Sequence, residues 1–273
     1  MTVPWGEMAG WTGTVLGGAL ALRVAQLDVR DPRVWEGAVW AIERRIRRQV
    51  ATAEVSPPAA PRVVFAGSSS IRRWRTLAAD LAPLQTLNVG FGGALLPQVA
   101  HYAGRLILPW QPAGVVLYAG ENDLARGVVR RPDPVDEVVR GLQELLEHLH
   151  QALPQATLWC LALKRSHSRT ASWPGVDQVN ARLAAWCATR SVANFIDTSH
   201  PLLDESGRPR RELFCLDGIH LNPAGYAAWT SAVRPRLAER FGCLATADRA
   251  PAQAAESAAA NASPLAPARR PPG

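Results

Sequence analysis

The chain has 273 residues, 48% of them hydrophobic and 19% charged, which is enough to bury one substantial core and too apolar for an extended disordered protein. Its formal net charge of +7 is almost wholly arginine, Lys164 being the only lysine, and no aromatic platform alternates with these arginines, which argues against nucleic acid as a partner. The four cysteines, Cys160, Cys187, Cys215 and Cys243, are widely spaced without a C-x-x-C pair, which argues against a disulfide framework or a zinc site.

The first notable segment, Trp11 to Leu22, is apolar and Gly-rich, with Ala19-Leu20-Ala21 resembling a signal-peptidase site. It is too short for a membrane span, and the segment before it carries Glu7 and no Lys or Arg, the wrong flank for a signal peptide. Residues 1–30 are therefore expected to be an N-terminal extension of a cytoplasmic protein, with export to the periplasm or outside as the alternative. Asp31-Pro32 then reads as a helix cap with proline at the first helical position. Val34, Trp35, Ala38, Val39, Ile42 and Ile46 follow on one face, with Arg44, Arg45, Arg47 and Arg48 mostly on the other, a solvated basic face. Pro57 to Pro61 link this helix to the first strand.

Five short apolar runs, at 62–66, 85–89, 114–119, 156–162 and 193–197, alternate with helical patterns near 97–105, 134–152, 174–189 and 223–240. This rhythm predicts an α/β fold, a three-layer sandwich with a mostly parallel, roughly five-stranded sheet. Such sheets bind ligands at the carboxyl ends of their strands, so the residues just after each run carry the functional reading. After the first run stand Gly67 and three hydroxyls, Ser68, Ser69 and Ser70, which serve as helix caps or as a nucleophile; periodicity does not choose among them. A phosphate cradle would need a Gly-rich spacing ending in Lys-Ser/Thr, which is absent. After the second run, Asn88-Val89-Gly90-Phe91-Gly92-Gly93 is a Gly-dense turn that can aim backbone N–H groups into a cavity. After the third, Tyr118-Ala119-Gly120-Glu121-Asn122-Asp123 puts an Asn amide at a strand end, and a backbone N–H with an Asn N–H can hold an oxyanion during acyl transfer. His167, after the fourth run, is a candidate for the substrate cleft.

The last candidate is Asp217-Gly218-Ile219-His220, a carboxylate three residues before an imidazole in a turn that opens a helix. The Gly permits a tight bend, so the Asp can hold Nδ1–H and leave Nε2 as a proton acceptor, the arrangement of a general base for a hydroxyl nucleophile. Asp197-Thr198-Ser199-His200 has the same spacing but closes a strand. His101 lacks such a partner, and His148 and His150 sit in a helical stretch without nearby metal ligands, so no metal site is expected. From Ala245 to Gly273 the chain is an Ala/Pro/Ser-rich tail with few large apolar residues, expected to be disordered.

In order and approximate spacing, from about residue 31 to residue 241, Gly67-Ser68-Ser69, the turn holding Gly93, Gly-x-Asn122-Asp and Asp217-x-x-His220 resemble the four blocks of the SGNH hydrolases, also called GDSL-type esterases and lipases. Ser68 stands where the usual Gly-Asp-Ser has Asp; a subset of the family carries Gly-Ser-Ser-Ser-Ile followed by a Trp, as in Ile71-Arg72-Arg73-Trp74 here. The resemblance implies Ser69 as nucleophile, His220 as base and Asp217 as its orienting partner. It also implies an oxyanion hole made by the Ser69 and Gly93 N–H groups and the Asn122 side chain. The expectation is a serine esterase without cofactor, its domain spanning 31–243 and its tail 244–273, acting on a small-molecule, glycan or lipid ester. Phe91, Leu95 and Leu96 are expected to contact the acyl group. Two rivals are a non-catalytic binding module of the same fold and a phosphate-ester hydrolase using Arg72 and Arg73.

Overall fold

The structure, a computed structural model, describes residues 31–54, 60–126 and 134–242. The N-terminal extension with its signal-like run, Pro57 to Ala59 of the linker, Cys243 and the tail 244–273 lie outside the described residues.

Five strands, β1 (Arg62–Gly67), β2 (Gln85–Asn88), β3 (Gly114–Tyr118), β4 (Thr157–Leu161) and β5 (Asn194–Ile196), form one sheet in the order β2-β1-β3-β4-β5. Every pairing is parallel. Runs such as Val63-Val64-Phe65 and Val115-Val116-Leu117-Tyr118 are apolar on both faces, and both are fully buried, as a parallel sheet covered by helices requires. The chain steps outward from β1 to β2 and then crosses back to β3, so the direction of winding reverses between β1 and β3. That reversal opens a crevice at the carboxyl ends of these two strands.

Eight helices flank the sheet among the described residues: α1 (Glu36–Glu54), α2 (Ser69–Arg72), α3 (Leu77–Asp80), α4 (Leu96–Leu106), α5 (Glu121–Arg126), α6 (Pro134–Ala152), α7 (Trp173–Thr189) and α8 (Pro223–Phe241). Helices α1, α4, α6 and α7 pack in series, each against the next. Asp31 caps the N-terminal turn, accepting from the Arg33 N–H at 2.9 Å, and a 3-10 turn, Pro32–Trp35, precedes α1. Within α1, at about 100° per residue, Ala38 falls about 70° from the middle of the stripe that Val39, Ile42 and Ile46 form, at its edge. Val39, Ile42 and Ile46 face the core as the periodicity requires, but Ala38, expected on the same face, is exposed.

The core beneath α2 is aromatic. Trp74 lies 5.7 Å from Phe65, 5.6 Å from Tyr226 and 5.8 Å from Trp229 between ring centres, and Trp229 lies 5.0 Å from Tyr118. This cluster ties β1, β3 and α8 together just below α2. Replacing Trp229, which is fully buried, with Ala is expected to cost about 3–5 kcal/mol of stability, read from urea denaturation. A loss under about 1 kcal/mol would show that the cluster does not support the fold in this way.

Candidate active site

Strand β1 ends at Gly67 with φ +141°, where a Cβ would stand 1.9 Å from the Tyr118 carbonyl oxygen; only glycine allows this approach. The Ser68 N–H donates to that carbonyl at 3.1 Å, and the chain turns at once into α2. Ser68 and Ser70 are buried, leaving Ser69 as the partly exposed hydroxyl of the three. Tyr226 of α8 donates its hydroxyl to the Ser70 carbonyl at 2.8 Å and anchors the turn from below.

Opposite this turn, the segment from Phe214 to Leu221 closes on itself through an antiparallel bridge between those two residues and a Cys215 N–H to His220 carbonyl bond of 2.8 Å. Gly218, at φ +64°, makes the reversal. One oxygen of Asp217 accepts the Ile219 and His220 N–H groups, each at 2.9 Å, and the other meets His220 Nδ1 at 2.7 Å. His220 Nε2 lies 2.9 Å from Ser69 Oγ. The structure thus brings Asp217, His220 and Ser69 into one hydrogen-bonded line. Burial pushes the Asp217 carboxyl up, but the His220 N–H, the imidazole and the Ile219 N–H together hold it well below the usual carboxylate range. A charge fixed there favours the Nδ1–H tautomer, which leaves Nε2 to take a proton from the hydroxyl.

The turn after β2 is built by Asn88, whose amide donates to the Ile71 carbonyl at 2.6 Å while its oxygen accepts the Gly90 N–H at 3.1 Å. Helix α2 and the Gly-rich turn are therefore held by one side chain. Gly93 has φ +71°, and a Cβ there would press on Trp35 at 3.3 Å. After β3, Gly120 at φ +111° starts α5 and delivers Asn122, whose amide donates to the Ala94 carbonyl, next to Gly93, at 2.9 Å. Asp123 accepts the Leu96 N–H at 3.0 Å, tying α5 to the start of α4. Ser69 opens α2, where a first-turn N–H has no partner within the helix.

The expected acyl contacts are corrected. Phe91 and Leu96 are only 2% and 3% exposed, and Phe91 packs on Trp35 and Tyr102 at 5.7 and 5.9 Å between ring centres; Leu95 is buried as well. The Phe91 N–H bonds the Gly67 carbonyl at 3.1 Å, which leaves the side chain turned into the core. His167 packs edge-on against Phe214 at 5.2 Å and lines a groove of about 800 Å³ with Trp173, Asp204 and Arg208, alongside the Asp217 hairpin. In the rival pair, Asp197 accepts the Ser199 and His200 N–H groups at 3.0 Å each and caps its own turn. Arg73 lies 3.8 Å from Asp217 Oδ2. The Arg72 guanidinium lies over Gly92. No group of three or more His, Cys, Asp or Glu placed to hold a metal occurs among the described residues.

Sequence reasoning missed the residues behind Asn122. Its oxygen accepts from Arg169 Nη2 at 2.9 Å, and Arg169 Nη1 lies 3.3 Å from Glu121, a carboxylate buried against Lys164. The one available signal was Lys164 itself, the single lysine in an arginine-rich chain, standing just after a buried strand.

A model of the GDSL-like lipase/acylhydrolase family matches residues 41–228. Among solved structures, the chain is similar to a GDSL-like lipase from Bacteroides thetaiotaomicron, at 16% identity over 78% of this chain and 100% of that one, with a TM-score of 0.60. It is also similar to a catalytic mutant of an acetylxylan esterase from Geobacillus stearothermophilus, at 14% identity over 63% and 92%, with a TM-score of 0.53. A lipase/acylhydrolase from Enterococcus faecalis matches at 17% identity over 66% and 97%, with a TM-score of 0.50. At these identities the likeness is one of fold. No curated protein sequence matches the chain.

The depressed Asp217 pKa makes a pH prediction. A carboxylate favoured by the folded state stabilises the protein above its unfolded pKa of about 4, and that contribution is lost as pH falls toward the lower folded pKa. Urea denaturation should therefore show Asp217→Asn less stable than wild type at pH 7, the gap narrowing steadily below about pH 4. A gap independent of pH would mean that the charge of Asp217 is not what the hairpin stabilises.

Proposed function

The chain belongs to the GDSL-like lipase/acylhydrolase family, and on that premise we propose that it is a serine esterase cleaving carboxylic esters through an acyl-enzyme. The observation that carries this reading is the line from Asp217 to His220 to Ser69, with contacts of 2.7 and 2.9 Å, ending on the exposed hydroxyl of three. Ser69 Oγ attacks the ester carbonyl while His220 Nε2 takes its proton; His220 then returns that proton to the leaving alcohol, and water repeats the sequence to release the acid. Asp217 stays ionised and stabilises the imidazolium. The Ser69 and Gly93 N–H groups and the second Nδ2 hydrogen of Asn122 receive the oxyanion.

One feature supports a short acyl group and another a polar alcohol. Phe91, Leu95 and Leu96, the apolar side chains nearest the Gly93 turn in sequence, are closed into the core and offer no surface to a long chain. The groove beside His167 carries Asp204, Glu205, Arg208 and Trp173, a mixed polar and aromatic lining suited to a hydroxyl-rich alcohol such as a sugar.

The test is hydrolysis of p-nitrophenyl acetate and longer acyl homologues by wild type, Ser69→Ala and His220→Ala, each checked for folding by circular dichroism. Wild type should hydrolyse acetate best, and each variant should lose about 10⁴-fold or more in kcat. A folded Ser69→Ala protein with full activity, or a wild type inactive on every chain length, would sink the reading.

A further inference from the structure

Behind Asn122 lies a charged cluster that the reaction as described does not use. Glu121 and Lys164 have side chains 5% and 0% exposed, and their charges meet at 2.6 Å. Tyr118 donates its hydroxyl to the same Glu121 oxygen at 2.5 Å. Arg169 reaches in from the segment after β4 with two prongs: Nη1 lies 3.3 Å from the other Glu121 oxygen, and Nη2 donates to Asn122 Oδ1 at 2.9 Å. Buried charges are costly unless paired, and breaking such a group leaves an uncompensated ion, so the cluster has one well-determined geometry. It sits directly against the side chain read above as an oxyanion donor.

A primary amide has one accepting end and one donating end, which differ by a simple flip. A guanidinium can only donate. With Arg169 on one side, Asn122 must present Oδ1 to it, and Nδ2 must face Ala94 and the site. The Ala94 carbonyl takes one Nδ2 hydrogen and leaves the other for the substrate. A positive charge on Oδ1 also draws electron density from the amide nitrogen and makes that hydrogen a stronger donor as negative charge develops on the substrate. The same short segment braces the other half of the site. Ser168 donates through its hydroxyl to the Asp217 carbonyl at 2.6 Å and through its N–H to the Gly218 carbonyl at 3.2 Å.

We infer that Arg169, held by the buried Glu121–Lys164 pair, is a positioning residue for acyl transfer: it fixes the orientation and donor strength of the Asn122 amide. This rests on the serine-esterase reading of the same site. A residue acting this way affects the transition state rather than substrate binding, and it acts only through Asn122.

The experiment is a double-mutant cycle on p-nitrophenyl acetate with wild type, Ser69→Ala, Asn122→Ala, Arg169→Gln, Arg169→Lys and the two Arg169 changes in the Asn122→Ala background, all checked by circular dichroism. Direct loss of an oxyanion donor costs about 10²–10³ in kcat, so Arg169→Gln is expected to lower kcat about 10- to 100-fold with KM changed less than about threefold. Arg169→Lys keeps the charge that Glu121 needs but not the two-pronged reach, and should lose about 3- to 10-fold. It carries the test should the Gln variant fail to fold. In the Asn122→Ala background both changes should alter kcat less than about threefold. Equal losses in both backgrounds, or wild-type kcat in the folded single variants, would overturn the inference while Ser69→Ala inactivity left the esterase reading standing. A wild type inactive on every ester would overturn both.

Discussion

The site hangs on the approach between Gly67 and the Tyr118 carbonyl. Strands β1 and β3 run side by side, with Gly67 opposite Tyr118 in the register, and the missing side chain lets the two strand ends close to a distance that no Cβ survives. Ser69 leaves from one of these ends and Asn122 from the other. The winding reversal between the same two strands opens the crevice into which both point. Any residue other than glycine would push the strand ends apart, and with them the Ser69 hydroxyl and the Asn122 amide.

Around that contact, polar side chains work mainly as spacers between loops. Asn88 joins α2 to the Gly-rich turn, Asp123 joins α5 to α4, and Asn222 caps α8 at the Gly225 N–H while donating to the Glu212 carbonyl. Trp35, ahead of the residues matched by the family, packs under Gly93 and Phe91. Each link fixes one loop relative to another through a directional bond or a packed ring, and this is how loops gain precise positions. The two halves of the site, the Asp217 hairpin and the Asn122 helix, meet in the segment 164–169, which touches both.

Charge is distributed to match. Asp217 is held ionised beside the partly exposed His220 imidazole. On the Asn122 side, two cations, Arg169 and Lys164, surround the single carboxylate of Glu121.

Much of this was legible in the sequence, for physical reasons that differ by element. Apolar runs such as Val63 to Phe65 and Val115 to Tyr118 announce buried parallel strands, because such strands are covered on both faces. The glycines and hydroxyls after them mark turns, because only those residues suit the backbone there. Asp217 and His220 are three residues apart, so their contact is a local property of one turn. Ala38 was misplaced because it lies at the edge of the helix stripe, where periodicity alone does not decide exposure, and Phe91 because a residue beside a Gly-rich turn can face either way until its neighbours are in place. What the sequence determined by itself was the alternation of strands and helices and the short-range Asp217–His220 geometry, both set by local sterics and periodicity. Only the tertiary structure decided which of three serines meets the imidazole, which side chains close into the core, and that Arg169 stands behind Asn122. The His220–Ser69 and Arg169–Asn122 contacts join residues 151 and 47 positions apart, whose partners no local pattern names.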